Sequence, residues 1–147
     1  MSLLDWATII SSIFTSIGVA VAAYQIRVAR IQSIAEFEDG FAKEYRELAG
    51  KIPPFALLGV ELDEEEKKSH FDELYRYFDI CNEQIYLRQR GRIREMTWIF
   101  WCDGIKVNFE KPAFRWAWDE IEKTKTSEFS ELRTLIRERF RKDPKKW

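Results

Sequence analysis

The chain has 147 residues, 46% of them hydrophobic, and its 24 Lys and Arg are matched by 25 Asp and Glu for a net charge of −1. That balance excludes a global basic field of the kind a nucleic-acid coat needs, and equally a global attraction for acidic substrates, so any basic surface must be local. The 11 Phe, 5 Tyr and 6 Trp fall mostly after residue 70, enough aromatic mass to give a domain of about 100 residues a folded core.

From Trp6 to Ile26 no charged side chain occurs in 21 residues, a length that matches the hydrocarbon thickness of a bilayer. Trp6 and Tyr24 stand near the two ends, where amphipathic rings favour the headgroup layer, and Arg27 and Arg30 follow at once. Asp5 is the only charge before the span. Cationic flanks stay on the cytoplasmic side. The reading is therefore a single-pass protein of the inner (cytoplasmic) membrane, with residues 1–5 outside, 6–26 crossing, and everything beyond in the cytoplasm. A cysteine placed at Ser2 is expected to react from outside. A cleaved signal peptide ending near Ala20-Val21-Ala22 competes, but lacks a basic leader. A buried soluble helix also competes, helped by Thr8, Ser11, Ser12, Thr15 and Ser16. Within the membrane reading, Ser12, Ser16 and Ala20 recur every four residues, as do Ala7, Ser11 and Thr15, and such strips of small residues let a second helix approach. They point to self-association of the span or to the lining of an oligomeric pore.

Over residues 27–49 Ile31, Ile34, Phe37, Phe41, Tyr45 and Leu48 return every three or four positions with no proline between them, so the span should continue as an amphipathic juxtamembrane helix whose opposite, charged face includes Glu38. Gly50 and Pro53-Pro54 close it. Residues 50–62 read as an apolar connection along the domain surface or at the membrane interface.

A small cytoplasmic helical bundle follows over 63–142. Asp63 and Glu66 form a capping-box pair, and one helix is expected from there to about residue 90, ended by Gly91. The next segment, Ile93 to Phe109, is apolar almost all round and reads as the central buried helix, with a break at Asp103-Gly104. Pro112 suits the first turn of another, and Thr126 or Ser127 is placed to cap a last helix with Phe129, Leu132, Leu135, Ile136 and Phe140 inward. Residues 143–147 read as a basic tail. The fold class is all-α, because no strand-like alternation persists. Cys81 and Cys102 lack metal or redox spacing and read as free thiols.

Leu74-Tyr75-x-x-Phe78-x-x-x-Asn82-Glu83, Gly91-x-Ile93, Trp98, Trp101, Phe114-x-x-x-Trp118 and Phe129-x-x-Leu132-Arg133 resemble a family of small bacterial and phage membrane-anchored helical proteins catalogued as a domain of unknown function. The likeness covers about residues 6 to 140. It implies fold and anchoring and transfers no catalytic residue.

Candidate sites are few. Asn82 and Glu83 lie beside the aromatic stripe, where a buried amide must find partners, and read as a polar tie between helices. His70 reads as a surface imidazole, and Asp103 either as a buried acid or as half of an ion pair with arginine. Arg88, Arg90, Arg92 and Arg94 form one basic cluster, and Arg137, Arg139, Arg141 and Lys142 another, fit for phosphate-rich partners, of which anionic lipid is nearer than nucleic acid. No residue set suggests catalysis, a metal or a cofactor. The functional expectation is a membrane-tethered, non-enzymatic interaction module that binds a protein partner or itself. The competing one is an oligomerising effector of an antiviral or stress response that perturbs the bilayer when triggered.

Overall fold

A computed structural model describes residues 3–124 and 127–147, and within them the chain is all-α, with seven helices, one 3-10 turn and no strand. Expectations placed on Ser2 and Thr126 lie outside the described residues. The chain divides into two compact units, one up to Glu36 and one from Phe37 to Trp147.

Helix α1 (Leu3–Ala49) supplies the first unit and begins the second. It is long and apolar enough to cross a membrane, and none of its apolar window is buried; Phe14, for instance, is 71% exposed. The hydroxyls of Thr8, Ser12, Thr15 and Ser16 each donate to the carbonyl four residues earlier, at 2.8–2.9 Å. These four hydroxyls are thus satisfied within their own helix.

The second unit is built around α4 (Phe71–Gln89), against which α3 (Glu64–Ser69), α6 (Pro112–Lys123), α7 (Ser130–Arg137) and the 3-10 turn Pro144–Lys146 all pack. Leu74, Phe78, Cys81 and Ile85 return at helical spacing on its buried side, and Phe78 meets Phe109 and Trp118 with ring centroids 5.3 and 5.1 Å apart.

Several expectations change. The capping box at Asp63 and Glu66 is present, but its helix stops at Ser69 and α4 starts afresh at Phe71. Ser69 Oγ donates to the carbonyl of Glu66 and so competes with the helical bonding pattern at the break. The central helix is α4, not the Ile93–Phe109 segment. That segment forms α5 (Glu95–Phe109), which runs unbroken through Asp103-Gly104 and buries only Trp98, Ile105 and Asn108. Helix α7 begins at Ser130, and Ser127 does not cap it: the residue before the helix is Phe129, in the left-handed region at φ 60. Its ring lies 5.2 Å from Tyr75 and 5.9 Å from Trp118, and that burial outweighs a backbone penalty of about 1–2 kcal/mol.

The connection 50–62 is more than a surface strap. It contains the short helix α2 (Pro54–Leu57) and buries Ile52, Ala56 and Leu62 while Phe55, Leu58 and Val60 stay exposed. Nor is 143–147 a free tail. Asp143 caps the 3-10 turn through Lys145 N and grips Arg88, and Pro144 is buried. The ion pair holds the segment down, and the charge pattern of the last residues does not reveal it.

Candidate functional site

The site begins with α4, where Tyr77, Ile80, Cys81 and Gln84 share one face by their spacing. Across from it stand two walls, Phe41, Ala42, Tyr45 and Arg46 from the end of α1, and Phe100, Trp101, Gly104, Ile105 and Asn108 from α5; together they enclose an apolar groove of about 300 Å³. The end of α1 is pinned to the start of α5 by Glu38, which is buried and accepts from Arg94 N at 2.7 Å and from Arg94 Nε at 2.8 Å. Burial pushes the Glu38 carboxyl up, but hydrogen bonds from the side chain and backbone of Arg94 and from Thr97 outweigh it and hold the group below the ordinary carboxylate range. Within its walls Phe41 and Trp101 make an edge contact with centroids 6.0 Å apart, and Tyr45 tilts over Tyr77 at 6.3 Å.

The polar groups in these walls are mostly spoken for. Asn108 Nδ2 donates to the Tyr77 hydroxyl at 2.9 Å, and Lys111 Nζ donates to Asn108 Oδ1 at 2.6 Å. Burial pushes the Tyr77 hydroxyl well above its usual range and the Cys81 thiol up to about 12. Cys81 is accordingly an inert core thiol rather than a nucleophile. Gln84 differs. It is 6% exposed, lines the groove, and its amide makes no hydrogen bond among the described residues. Along its outer side α5 exposes Met96 (77%), Ile99, Val107 and Phe100 (78%), the last also part of the groove wall, with the exposed Asp103 among them.

The residues expected to form sites from the sequence are distributed differently. Asn82 is a tie, its Nδ2 donating to Glu131 Oε2 at 3.1 Å and its Oδ1 accepting from Leu132 N at 3.0 Å, so that it fastens α4 to the first turn of α7. Glu83 is exposed and joins no tie among the described residues; desolvation first, then Glu44 and Asp79, push its carboxyl up. Arg88 leaves the basic cluster. It is 4% exposed, its Nε donates to Asp143 Oδ1 at 2.8 Å, its Nη2 pairs with Asp143 Oδ2, and its Nη1 donates to the carbonyl of Ile93 at 2.8 Å. Arg94 is committed to Glu38, and Lys142 pairs with Glu138 at 2.9 Å.

Arg90 lies over the Tyr86 ring and Arg92 over the Phe37 ring, while Arg137, Arg139 and Arg141 are exposed. Lys145 Cε lies 3.9 Å from the place a Cβ on Gly91 would take. Asp103 is exposed, neither a buried acid nor ion-paired among the described residues. His70 is half-buried at the α3–α4 break, its Nδ1 3.8 Å from Glu73 Oε2. Ser12 and Ser16 keep their hydroxyls bonded within α1. Among the described residues no cluster of His, Cys, Asp and Glu is arranged to hold a metal ion.

Sequence reasoning missed Glu38, Gln84, Asn108 and Asp143. A signal existed for the first two. Glu38 lies four residues after Ile34 and three before Phe41, and Gln84 three after Cys81, so both are polar residues set on an apolar helical stripe, where a partner is required.

Comparison with protein-family models, with curated proteins and with solved structures gives no match to this chain.

Proposed function

We propose that this chain is a membrane-tethered, non-enzymatic helical interaction module, anchored once in the inner (cytoplasmic) membrane, whose unit Phe37–Trp147 faces the cytoplasm and binds a protein partner. The observation that carries the reading is the uncovered apolar face of α5, with Met96 77% and Phe100 78% exposed beside a groove of about 300 Å³. An apolar face continuous with a groove is what an amphipathic partner helix buries on binding. The uncharged stretch from Trp6 to Ile26 and the basic flank at Arg27 and Arg30 support the tether and its sidedness. The thiol of Cys81, held protonated by burial, and the engaged side chains of Tyr77 and Asn108 support binding rather than covalent chemistry.

The test is a photo-crosslinking amino acid at Phe100 in cells expressing the full chain, with Glu120 on α6 as the control position. A discrete adduct from position 100 alone is expected, either with another protein or with a second copy of the chain. The reading fails if position 100 yields no discrete adduct, or if both positions give the same products. Recovery of the full chain in the detergent-free soluble fraction would remove the tether.

A further inference from the structure

We infer that Arg90 and Arg92 form an anionic-lipid site, two guanidinium groups held on aromatic rings that take the phosphate of a headgroup in the leaflet to which the chain is tethered. The site rests on the membrane-tether reading and adds to it a second contact between the chain and the bilayer.

Arginines stand at every second position from Arg88 to Arg94, and the fold divides them into two kinds. Arg88 and Arg94 spend their N–H groups inside the protein, the first on Asp143 and the carbonyl of Ile93, the second on Glu38. Arg90 and Arg92 are exposed and make no hydrogen bond or ion pair among the described residues. They are positioned all the same. The Cζ of Arg90 lies 5.2 Å from the centre of the Tyr86 ring, and that of Arg92 lies 5.7 Å from the centre of the Phe37 ring. A guanidinium drawn to a ring in this way still has N–H donors to offer at its outer edge. Part of the side-chain freedom that a ligand would have to freeze is already lost. The planar donor edge fits a bidentate oxyanion, and a phosphate above all.

The surroundings decide between the sources of phosphate. Glu38 and Asp143 are matched by Arg94 and Arg88, whereas Asp39 and Glu95 act on those two arginines without pairing. The exposed Lys145, close to Gly91, and Lys146, which acts on Asp143, add to the free pair. Two guanidinium groups among so few cations are too short a row for a nucleic-acid backbone. They suffice for one headgroup. Arg92 also packs on Phe37, the first residue of the second unit, and only residues 27–36 separate Phe37 from the uncharged stretch Trp6 to Ile26. Even fully extended, that segment reaches no more than about 40 Å. A tether of that length keeps the pair beside the leaflet, where each basic residue strengthens attachment about fivefold.

The test places the full chain in nanodiscs of phosphatidylcholine doped with phosphatidylglycerol that carries a photo-crosslinker on its headgroup, and maps the adducts by mass spectrometry. Adducts are expected on residues 86–92. In Arg90→Gln/Arg92→Gln they should fall at least about tenfold, from about fivefold for each cation. Arg137→Gln/Arg141→Gln removes the same charge elsewhere and should change the yield by less than about twofold, since those side chains stand outside the site. Arg90→Lys/Arg92→Lys keeps both charges but gives up the planar donor edge, and should lose at least about threefold. Circular dichroism melting curves of all three variants should overlay the native curve. Four results overturn the site and leave the tether standing: adducts at Arg27 and Arg30 with none on 86–92, equal losses in the two glutamine variants, full yield in the lysine variant, or displacement of the adducts by millimolar inorganic phosphate or a short RNA duplex at constant ionic strength. If the full chain is not retained in the nanodiscs, the tether fails and the site falls with it.

Discussion

At the scale of single residues the second unit is fastened by two arginine–carboxylate pairs, Arg88 with Asp143 and Arg94 with Glu38. Arg88 is almost wholly buried, so removal of its partner leaves a guanidinium without compensation. Such a loss costs about 3–5 kcal/mol, and Asp143→Ala is expected to lower stability by that order in urea unfolding followed by tryptophan fluorescence. Changing Lys145 and Lys146 to Ser should leave the midpoint within about 0.5 kcal/mol of native, as for exposed positions; equal effects from both changes would show that the final residues are not docked through Asp143. The hydrogen bonds from Arg88 hold the Asp143 carboxyl below its ordinary range, and Glu38 is depressed by Arg94 in spite of burial. Both groups therefore hold their protons less tightly folded than unfolded. Their stabilisation is complete above the unfolded values near 4 and is lost as pH falls through the lower folded values. Glu38→Gln should flatten the fall of the urea midpoint between pH 5 and pH 3; an unchanged slope would deny Glu38 its role. Asn82 was legible in the sequence because an amide beside an aromatic stripe has to be satisfied. Arg88 was not, because the run Arg88 to Arg94 reads as one cluster. Only the helical spacing from Cys81 and Ile85 places Arg88 on the buried side.

At the scale of elements, what was legible is what local chemistry decides. The capping box at Asp63, the stop at Gly91 and the proline at the first turn of α6 all lie where a few neighbouring residues dictate them. The start of α7 was not legible, because it depends on Tyr75 and Trp118, distant in sequence, drawing in the ring of Phe129. The role of α5 was misread for a related reason. An apolar periphery states only that a helix avoids water, not which neighbours will cover it, and α4 has the better-matched faces. After α7 the chain turns through Arg139 and Phe140, both left-handed at φ 54 and 58. Phe140 is held there by a ring contact with Phe109 at 6.0 Å, whereas the side chain of Arg139 is exposed and makes no hydrogen bond or ion pair among the described residues. Arg139→Gly should therefore relieve strain without loss of packing and raise stability by about 1 kcal/mol. Phe140→Gly should do the reverse, since it removes a half-buried ring from its contact with Phe109, a loss of about 1–3 kcal/mol. Thermal melts of the two variants shifting in the same direction would refute this account of the turn.

At the scale of the whole molecule, every buried hydrophobic residue of the core lies at or after Phe41, while the described apolar residues of the first unit are exposed apart from the half-buried Val28, Ile34 and Ala35. The second unit therefore satisfies the hydrophobic effect by folding on itself, whereas the first finds no such cover among the described residues. A fragment of residues 32–147 should accordingly be soluble without detergent, monomeric at low concentration, and unfold in one transition within about 0.5 kcal/mol of the same unit in the full chain, since distant parts contribute additively. Its shortened α1 has a built-in start, as Ser33 and Glu36 have the spacing of a capping box, so the Glu38–Arg94 anchor lies just beyond a capped first turn rather than at a frayed end. The full chain should require detergent or lipid and resist alkaline extraction from membranes. If the fragment aggregates or melts without cooperativity, the second unit depends on residues before 32 and the division at Glu36 has no energetic meaning. If the full chain stays monodisperse in plain buffer, its uncharged stretch has found cover that a bilayer would otherwise supply.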